Sequence, residues 1–136
     1  MVLRFGIPLL TLLAAWLAVA LPAWAQDSDA RVPAGSYEGI VWSSGELWSI
    51  TTEFTTDAAG ELSGSYVYDE VGGPYLGKLV RFRQTDTHTW LMLWVEESSS
   101  GTLEATFAED FSSFVGLWST LDDSDAAYPW VGERLD

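Results

Sequence analysis

The chain contains no cysteine, a single histidine and only one lysine, and each shortage disfavours a class of function. Without disulfides, a small exported domain must be held together by its packed core. One histidine and no cysteine disfavour the usual zinc sites. Six basic residues stand against twenty acidic ones, which gives a formal net charge of −14. A field of that sign repels phosphate backbones and anionic lipids, so we expect no binding to nucleic acid or to membrane surfaces.

Residues 1–25 have the pattern of a secretory signal peptide. Arg4 precedes an apolar run over residues 7–21, and Ala23-Trp24-Ala25 offers the small residues that signal peptidase recognises. We therefore predict cleavage before Gln26 and export to the periplasm or the extracellular space, with no membrane attachment afterwards. The alternative is an uncleaved anchor, since the apolar stretch is just long enough to span a bilayer.

Turn signals divide the rest of the chain into eight short strand-like runs. Residues 26–34 are polar and are predicted to form a flexible tail. In the domain that follows, 35–136, apolar residues recur at alternate positions and no helical period extends over ten residues. The predicted strands cover 36–42, 46–55, 62–68, 78–84, 89–96, 101–108, 113–120 and 128–135.

Short, evenly spaced strands with tight connections indicate an all-β fold, an antiparallel up-and-down meander. Residues 57–68 show the pattern best: Asp57 and Gly60 supply turn chemistry, and every second residue from Leu62 is apolar or glycine. Eight strands are enough to close a β-barrel whose interior holds side chains or one small ligand. A β-sandwich is the alternative that periodicity leaves open.

The order of these features resembles the opening of avidin-like barrels. Gly35-Ser36-Tyr37 is followed by a strand and then by Gly60-Glu61-Leu62-Ser63-Gly64-Ser65-Tyr66, and those proteins read Gly-x-Trp, strand, Gly-x-Leu-x-Gly-x-Tyr. The resemblance extends loosely over residues 35–135, although Tyr68 stands where avidin-like proteins have a serine. It implies a small exported, lipocalin-like barrel with a ligand site at one end. Under this resemblance, Tyr66 matches the tyrosine that hydrogen-bonds the ligand's ureido oxygen, Trp94, Phe107 and Trp118 fall near the aromatic cage, and Glu133 falls near the acidic residue of the last strand.

Aromatic side chains are the most informative candidates for a site. Six tryptophans follow residue 25, and aromatic faces in a barrel mouth bind flat or apolar ligands, and sugars by stacking. Filling the core is the alternative role for each of them. We predict a non-catalytic barrel that needs no cofactor and binds a small ligand at one open end, lined by Tyr66, Trp94, Phe107, Trp118 and Glu133.

Three further motifs are interpreted as structural. Residues 72–78 nearly spell a phosphate-binding loop, but Leu79 replaces the Ser or Thr that holds magnesium. His88, with Asp86 two residues earlier, is predicted to lie in an exposed hairpin turn and not in a catalytic triad. The carboxylates of Asp122-Asp123-Ser124-Asp125 lack EF-hand spacing, so we predict a solvated loop there and keep a calcium site as the alternative.

Two other functions remain as alternatives. An envelope protein-interaction module, for example a barrel-type protease inhibitor, would use its loops, its acidic surface or residues 26–34 to bind a protein partner. A carboxylate-dependent hydrolase would need two acids facing each other across a substrate. Glu53 and Glu104 lie within predicted strands and are the residues to check, although we expect both on the solvent face. A ligand binder needs a cavity that opens to solvent beneath the aromatic side chains, whereas an inhibitor would have a filled barrel and an ordered protruding segment. A hydrolase needs two carboxylates that converge in a cleft, one of them with a raised pKa.

Overall fold

Eight antiparallel strands form a closed barrel in a computed structural model that describes residues 32–135. The predicted signal peptide, 1–25, and residues 26–31 of the predicted tail lie outside the described residues. Each strand pairs with the next one along the chain, and β8 returns to pair with β1. The strands are β1 (Gly35–Ser43), β2 (Glu46–Thr56), β3 (Leu62–Tyr68), β4 (Tyr75–Asp86), β5 (Thr89–Val95), β6 (Ser100–Phe107), β7 (Ser113–Thr120) and β8 (Tyr128–Arg134).

This topology confirms the predicted eight-stranded up-and-down barrel, and the β-sandwich alternative is wrong. Seven strands begin and end within one residue of their predicted bounds. Among the residues that the structure describes, no helix has the length and apolarity needed to cross a membrane.

The fourth strand is longer than predicted. It runs over Tyr75–Asp86 instead of 78–84, and its pairing with β5 shifts register between Val80 and Arg83 and again between Gln84 and Asp86. Arg81 adopts a left-handed conformation, with a φ of 54°. A bulge of this kind places extra residues of one strand opposite fewer of its partner, which simple alternation cannot reveal.

The turn between β2 and β3 forms as its sequence predicts. Asp57 Oδ1 accepts hydrogen bonds from the backbone N–H of Ala59 at 2.9 Å and of Glu61 at 3.0 Å. Gly60 has a φ of +80°, a conformation that glycine adopts without steric strain. The side chain of Asp57 therefore satisfies the backbone of the turn and fixes the register of the following strand.

One end of the barrel is filled by four aromatic rings, which we call the aromatic plug: Tyr37, Phe54, Phe107 and Phe114. In every pairing of these four residues, the ring centroids lie 5.3 to 5.9 Å apart. All four side chains are buried. Such edge-to-face and tilted contacts add to the hydrophobic gain of burial. The plug therefore anchors the core and closes this end of the interior.

Residues 32–34 pack against the closed end of the barrel, which differs from the flexible tail predicted over 26–34. The side chain of Pro33 is fully buried, and its carbonyl oxygen lies 3.2 Å from the hydroxyl of Tyr37. The same hydroxyl lies 3.1 Å from the carbonyl oxygen of Phe111, in the loop between β6 and β7. The guanidinium group of Arg134 donates to the carbonyl oxygen of Ala34. These contacts seal the closed end over the aromatic plug.

We expect Phe114→Ala to lower the free energy of unfolding by about 3–5 kcal/mol, because the substitution leaves a cavity among rings that contact one another. Chemical denaturation followed by tryptophan fluorescence measures this loss. Val115→Thr is the matched control, since the neighbouring side chain faces outward and is 64% exposed. Its effect should stay within about 0.5 kcal/mol. Equal losses in the two variants would contradict the role of the plug.

Candidate functional site

The opposite end of the barrel encloses a cavity of about 160 Å³ that opens to solvent. It lies where β1, β3, β5 and β7 end and where β2, β4, β6 and β8 begin. Its walls are mainly aromatic and aliphatic, and its polar members come from strand ends and from the loop after β5. The lining residues are Val41, Ser43, Ile50, Tyr66, Tyr68, Trp94, Glu96, Ser99, Trp118, Thr120 and Trp130.

The structure brings together three of the five predicted site residues, Tyr66, Trp94 and Trp118. Phe107 is not among them, because it is the last residue of β6 and lies in the aromatic plug at the closed end. Glu133 is not among them either, because its side chain is exposed on the outside of β8, next to the buried Gly132. Both placements correct the predicted site.

Sequence reasoning missed Tyr68, Glu96 and Trp130 as lining residues. The alternation of inward and outward residues along β5 and β8 indicates that Glu96 and Trp130 face inward. Glu96 continues the inward series of Met92 and Trp94, and Trp130 is the first buried residue after the loop that leads into β8. Both residues could have been identified from the sequence by taking the inward-facing positions nearest the open-end loops.

A glycine on the adjacent strand lets the ring of Tyr66 lie flat against the barrel wall. Tyr66 on β3 pairs with Gly77 on β4, and a Cβ atom at Gly77 would overlap the phenol ring. Because that space is free, the hydroxyl of Tyr66 reaches across β4 and donates to Oε1 of Glu96 at 2.9 Å. The ring also packs edge-to-face on Trp130, with centroids 4.7 Å apart. Tyr66 is therefore fixed at both its ring and its hydroxyl.

Trp94 is held by the same arrangement two strands further round the barrel. It pairs with Gly101 on β6, where a Cβ atom would overlap both the indole ring and the carbonyl oxygen of Ser119. The indole N–H crosses β6 and donates to that carbonyl on β7 at 3.0 Å. Trp94 and Trp118 then meet nearly perpendicularly, with centroids 5.6 Å apart. Together they form one rigid side of the cavity.

The other two indoles of the cavity also donate to the protein itself. The N–H of Trp118 donates to the carbonyl oxygen of Trp42 at 3.0 Å, and that of Trp130 donates to Oγ1 of the buried Thr52 at 3.0 Å. With its polar group satisfied, each indole offers only its ring to a ligand. The cavity therefore has apolar walls that are already in place.

The mouth of the cavity is acidic. Glu96 is a lining residue, and Oε2 of Glu70 accepts a hydrogen bond from Oγ of Ser43 at 3.0 Å. The four loops at the open end, 44–45, 69–74, 96–99 and 121–127, contain seven acidic residues and no lysine or arginine. These acidic residues are Asp69, Glu70, Glu96, Glu97, Asp122, Asp123 and Asp125.

Burial raises the pKa of Tyr66 and of Tyr68 far above the usual range of a phenol. The negative charge of Glu96 contributes to both shifts, and that of Glu70 contributes to the shift of Tyr68. Both hydroxyls therefore remain protonated at neutral pH and serve as hydrogen-bond donors.

Other candidate residues lie away from the cavity. His88 occupies the turn between β4 and β5, as predicted, but at the closed end and half-buried, with its ring 5.5 Å from that of Phe111. Glu53 and Glu104 are exposed on the outside of β2 and β6, which confirms their expected place on the solvent face. Within residues 32–135, no three His, Cys, Asp or Glu side chains form a group that could hold a metal ion.

Comparisons of the chain with protein families, with curated proteins and with solved structures find no match. The resemblance to avidin-like barrels stays a prediction.

We expect Gly77→Ala to lower the free energy of unfolding by about 1–3 kcal/mol, because the added methyl group forces the Tyr66 ring away from Glu96. Chemical denaturation measures the loss, and near-ultraviolet circular dichroism reports the displaced ring. Lys78→Ala is the control, because this neighbouring side chain is exposed and faces outward. Its effect should stay below about 0.5 kcal/mol. A Gly77→Ala protein as stable as the control would refute the close packing of this ring.

We expect the protein to lose stability as pH rises above about 10, where the tyrosines of the unfolded chain ionise. Tyr37, Tyr66 and Tyr68 have raised pKa values in the folded state, chiefly through burial. In this range the unfolded chain binds fewer protons than the folded one, so the free energy of unfolding falls with increasing pH. Denaturation at a series of alkaline pH values measures the slope. Tyr66→Phe should make it shallower, and an unchanged slope would contradict the assignment.

Proposed function

We propose that this protein binds one small molecule in its open-end cavity, that it acts by binding and not by catalysis, and that it is exported. The observation that carries the proposal is the contrast between the two ends of the barrel. The aromatic plug fills one end, whereas the aromatic rings at the other end surround a cavity that opens to solvent. Those rings are fixed by hydrogen bonds within the protein, so a ligand need not order them.

The volume of the cavity limits the size of the ligand. About 160 Å³ is close to the ~150 Å³ of an engineered apolar cavity that holds benzene. It is smaller than the roughly 300–1,000 Å³ of sites that enclose drug-sized molecules. We infer a ligand, or the buried part of one, the size of a single ring or a short branched chain. A longer molecule would extend through the mouth.

The placement of the acidic residues supports binding over hydrolysis. Glu53 and Glu104 lie on the outer surfaces of two separate strands and do not face a common cleft. Of the acidic residues that the structure describes, Glu96 alone lines the cavity, whereas a carboxylate pair needs two acids across the substrate. A protein-interaction module would need no cavity beneath its aromatic residues, whereas this barrel has one. The proposal of export to the periplasm or extracellular space rests on the sequence of residues 1–25 alone.

We expect at least one of three cavity-sized probes, cyclohexanol, benzyl alcohol or choline, to bind saturably with a stoichiometry of about one per chain. Tryptophan emission and calorimetry both report the binding, because three tryptophans line the cavity.

Val41→Phe provides the decisive variant, because the larger side chain projects into the cavity and should weaken binding by about tenfold or more. Ile40→Phe is its matched control: the preceding side chain faces outward and is 42% exposed, so binding should not change. Absence of binding by all three probes, or equal binding by the two variants, would contradict the proposal.

A further inference from the structure

The aromatic walls and the acidic mouth of the cavity together define a class of ligand. We infer that the cavity takes a small organic cation, a quaternary or protonated ammonium group that carries short apolar substituents. This inference rests on the proposed function, because it names the ligand of the same cavity.

The walls offer a cation the faces and edges of several aromatic rings. Tyr66, Tyr68, Trp94, Trp118 and Trp130 all line the cavity. The face of an aromatic ring carries negative charge density and attracts an ammonium group, and tryptophan does so most strongly. Since the indole N–H groups are already bound to protein oxygens, they present no competing positive dipole to the ligand. Ring faces alone would also accept a neutral ligand, so the charges at the mouth decide between the two.

Glu96 provides the opposite charge within the cavity wall. The Tyr66 hydroxyl donates to Oε1 of this carboxylate, and Tyr68 also hydrogen-bonds the side chain of Glu96. No lysine or arginine lines the cavity. An ammonium ligand would pair with this carboxylate while its substituents contact the rings, and the pairing would offset the free-energy cost of removing the cation from water. A carboxylate or phosphate ligand would instead meet a like charge.

The loops around the mouth extend the same preference beyond the cavity. Their seven acidic residues surround the entrance without a lysine or arginine among them. Arg83 lies in the half of β4 that approaches the closed end, and Arg134 is the last residue of β8 at that end. A cleft lined by one sign of charge concentrates ligands of the opposite sign and accelerates their association. The closed-end loops 57–61, 87–88 and 108–112 hold four acidic residues, and Lys78 lies on the outer face of β4 near the open end. The open end is therefore the more negative of the two.

A metal ion does not fit these observations as well as an organic cation. The described part of the chain has no group of three or more His, Cys, Asp or Glu side chains placed to bind a metal. Hard metal ions need about six oxygen ligands, whereas most of this cavity is lined by aromatic and aliphatic side chains. An alkylated ammonium group would pair with the single carboxylate of Glu96, and its alkyl substituents would fill the apolar part of the cavity.

The test compares choline with 3,3-dimethylbutan-1-ol, a neutral molecule of nearly the same shape in which carbon replaces the charged nitrogen. We expect choline to bind the protein at least about tenfold more tightly in calorimetric titrations. In Glu96→Gln, the amide oxygen still accepts from Tyr66 but the charge is gone. Choline affinity should therefore fall about tenfold, with little change for the neutral alcohol. Glu104→Gln removes the same charge from the outer face of β6 and should preserve the wild-type preference.

The outcomes separate this inference from the proposed function. Equal affinities for choline and its neutral analogue, or loss of the preference in Glu104→Gln as much as in Glu96→Gln, would overturn the cationic ligand and leave small-molecule binding intact. Binding of cyclohexanol or benzyl alcohol without binding of choline would likewise overturn the cationic ligand and leave small-molecule binding intact. Failure of every probe to bind would overturn both proposals.

Discussion

The width of an eight-stranded barrel governs what this protein can hold. Such a barrel is just wide enough for its own side chains to fill it or to leave room for one small ligand. At the closed end, the four rings of the aromatic plug meet across the interior and leave no room. At the open end, Tyr66 and Trp94 lie along the wall, over Gly77 and Gly101. The same kind of side chain therefore fills the interior at one end and lines a cavity at the other. Phe114 in the plug lies over its own paired glycine, Gly132, as Tyr66 and Trp94 lie over theirs.

The rings along the wall also connect strands that are not neighbours. The bond from Tyr66 to Glu96 crosses β4, and the bond from Trp94 to Ser119 crosses β6. These ties supplement the backbone ladder around the open end and keep the cavity in shape in the absence of a ligand. The hydrogen bond from Tyr66 also holds Glu96 in the cavity wall. Glu96 therefore both fixes the position of the Tyr66 ring and places a negative charge in the wall. Shape and electrostatic preference in this cavity depend on the same side chains.

Much of this architecture could be predicted from the sequence, because period-two alternation and turn residues specify both the strands and their inward faces. Alternation does not specify how far along the barrel a residue lies. Phe107 and Trp94 both face inward, yet they lie at opposite ends. Glu133 illustrates a second limit. The resemblance to avidin-like barrels matched its position to an acidic residue of the last strand, but a match in position does not give the direction of a side chain, and that of Glu133 faces outward. The bulge in β4 escaped prediction because it breaks the period on which the assignment depended.

The seam between β1 and β8 has a consequence for how the chain acquires its structure. Closure joins the first strand to the last, and the contact of Arg134 with Ala34 spans 100 residues. Contacts between such distant parts of a chain form late and slow the folding of β proteins. Until β8 is present, β1 and β7 have unpaired edges that invite association with other chains. A chain still being synthesised lacks its final strand and cannot complete the barrel, so closure must await the arrival of β8.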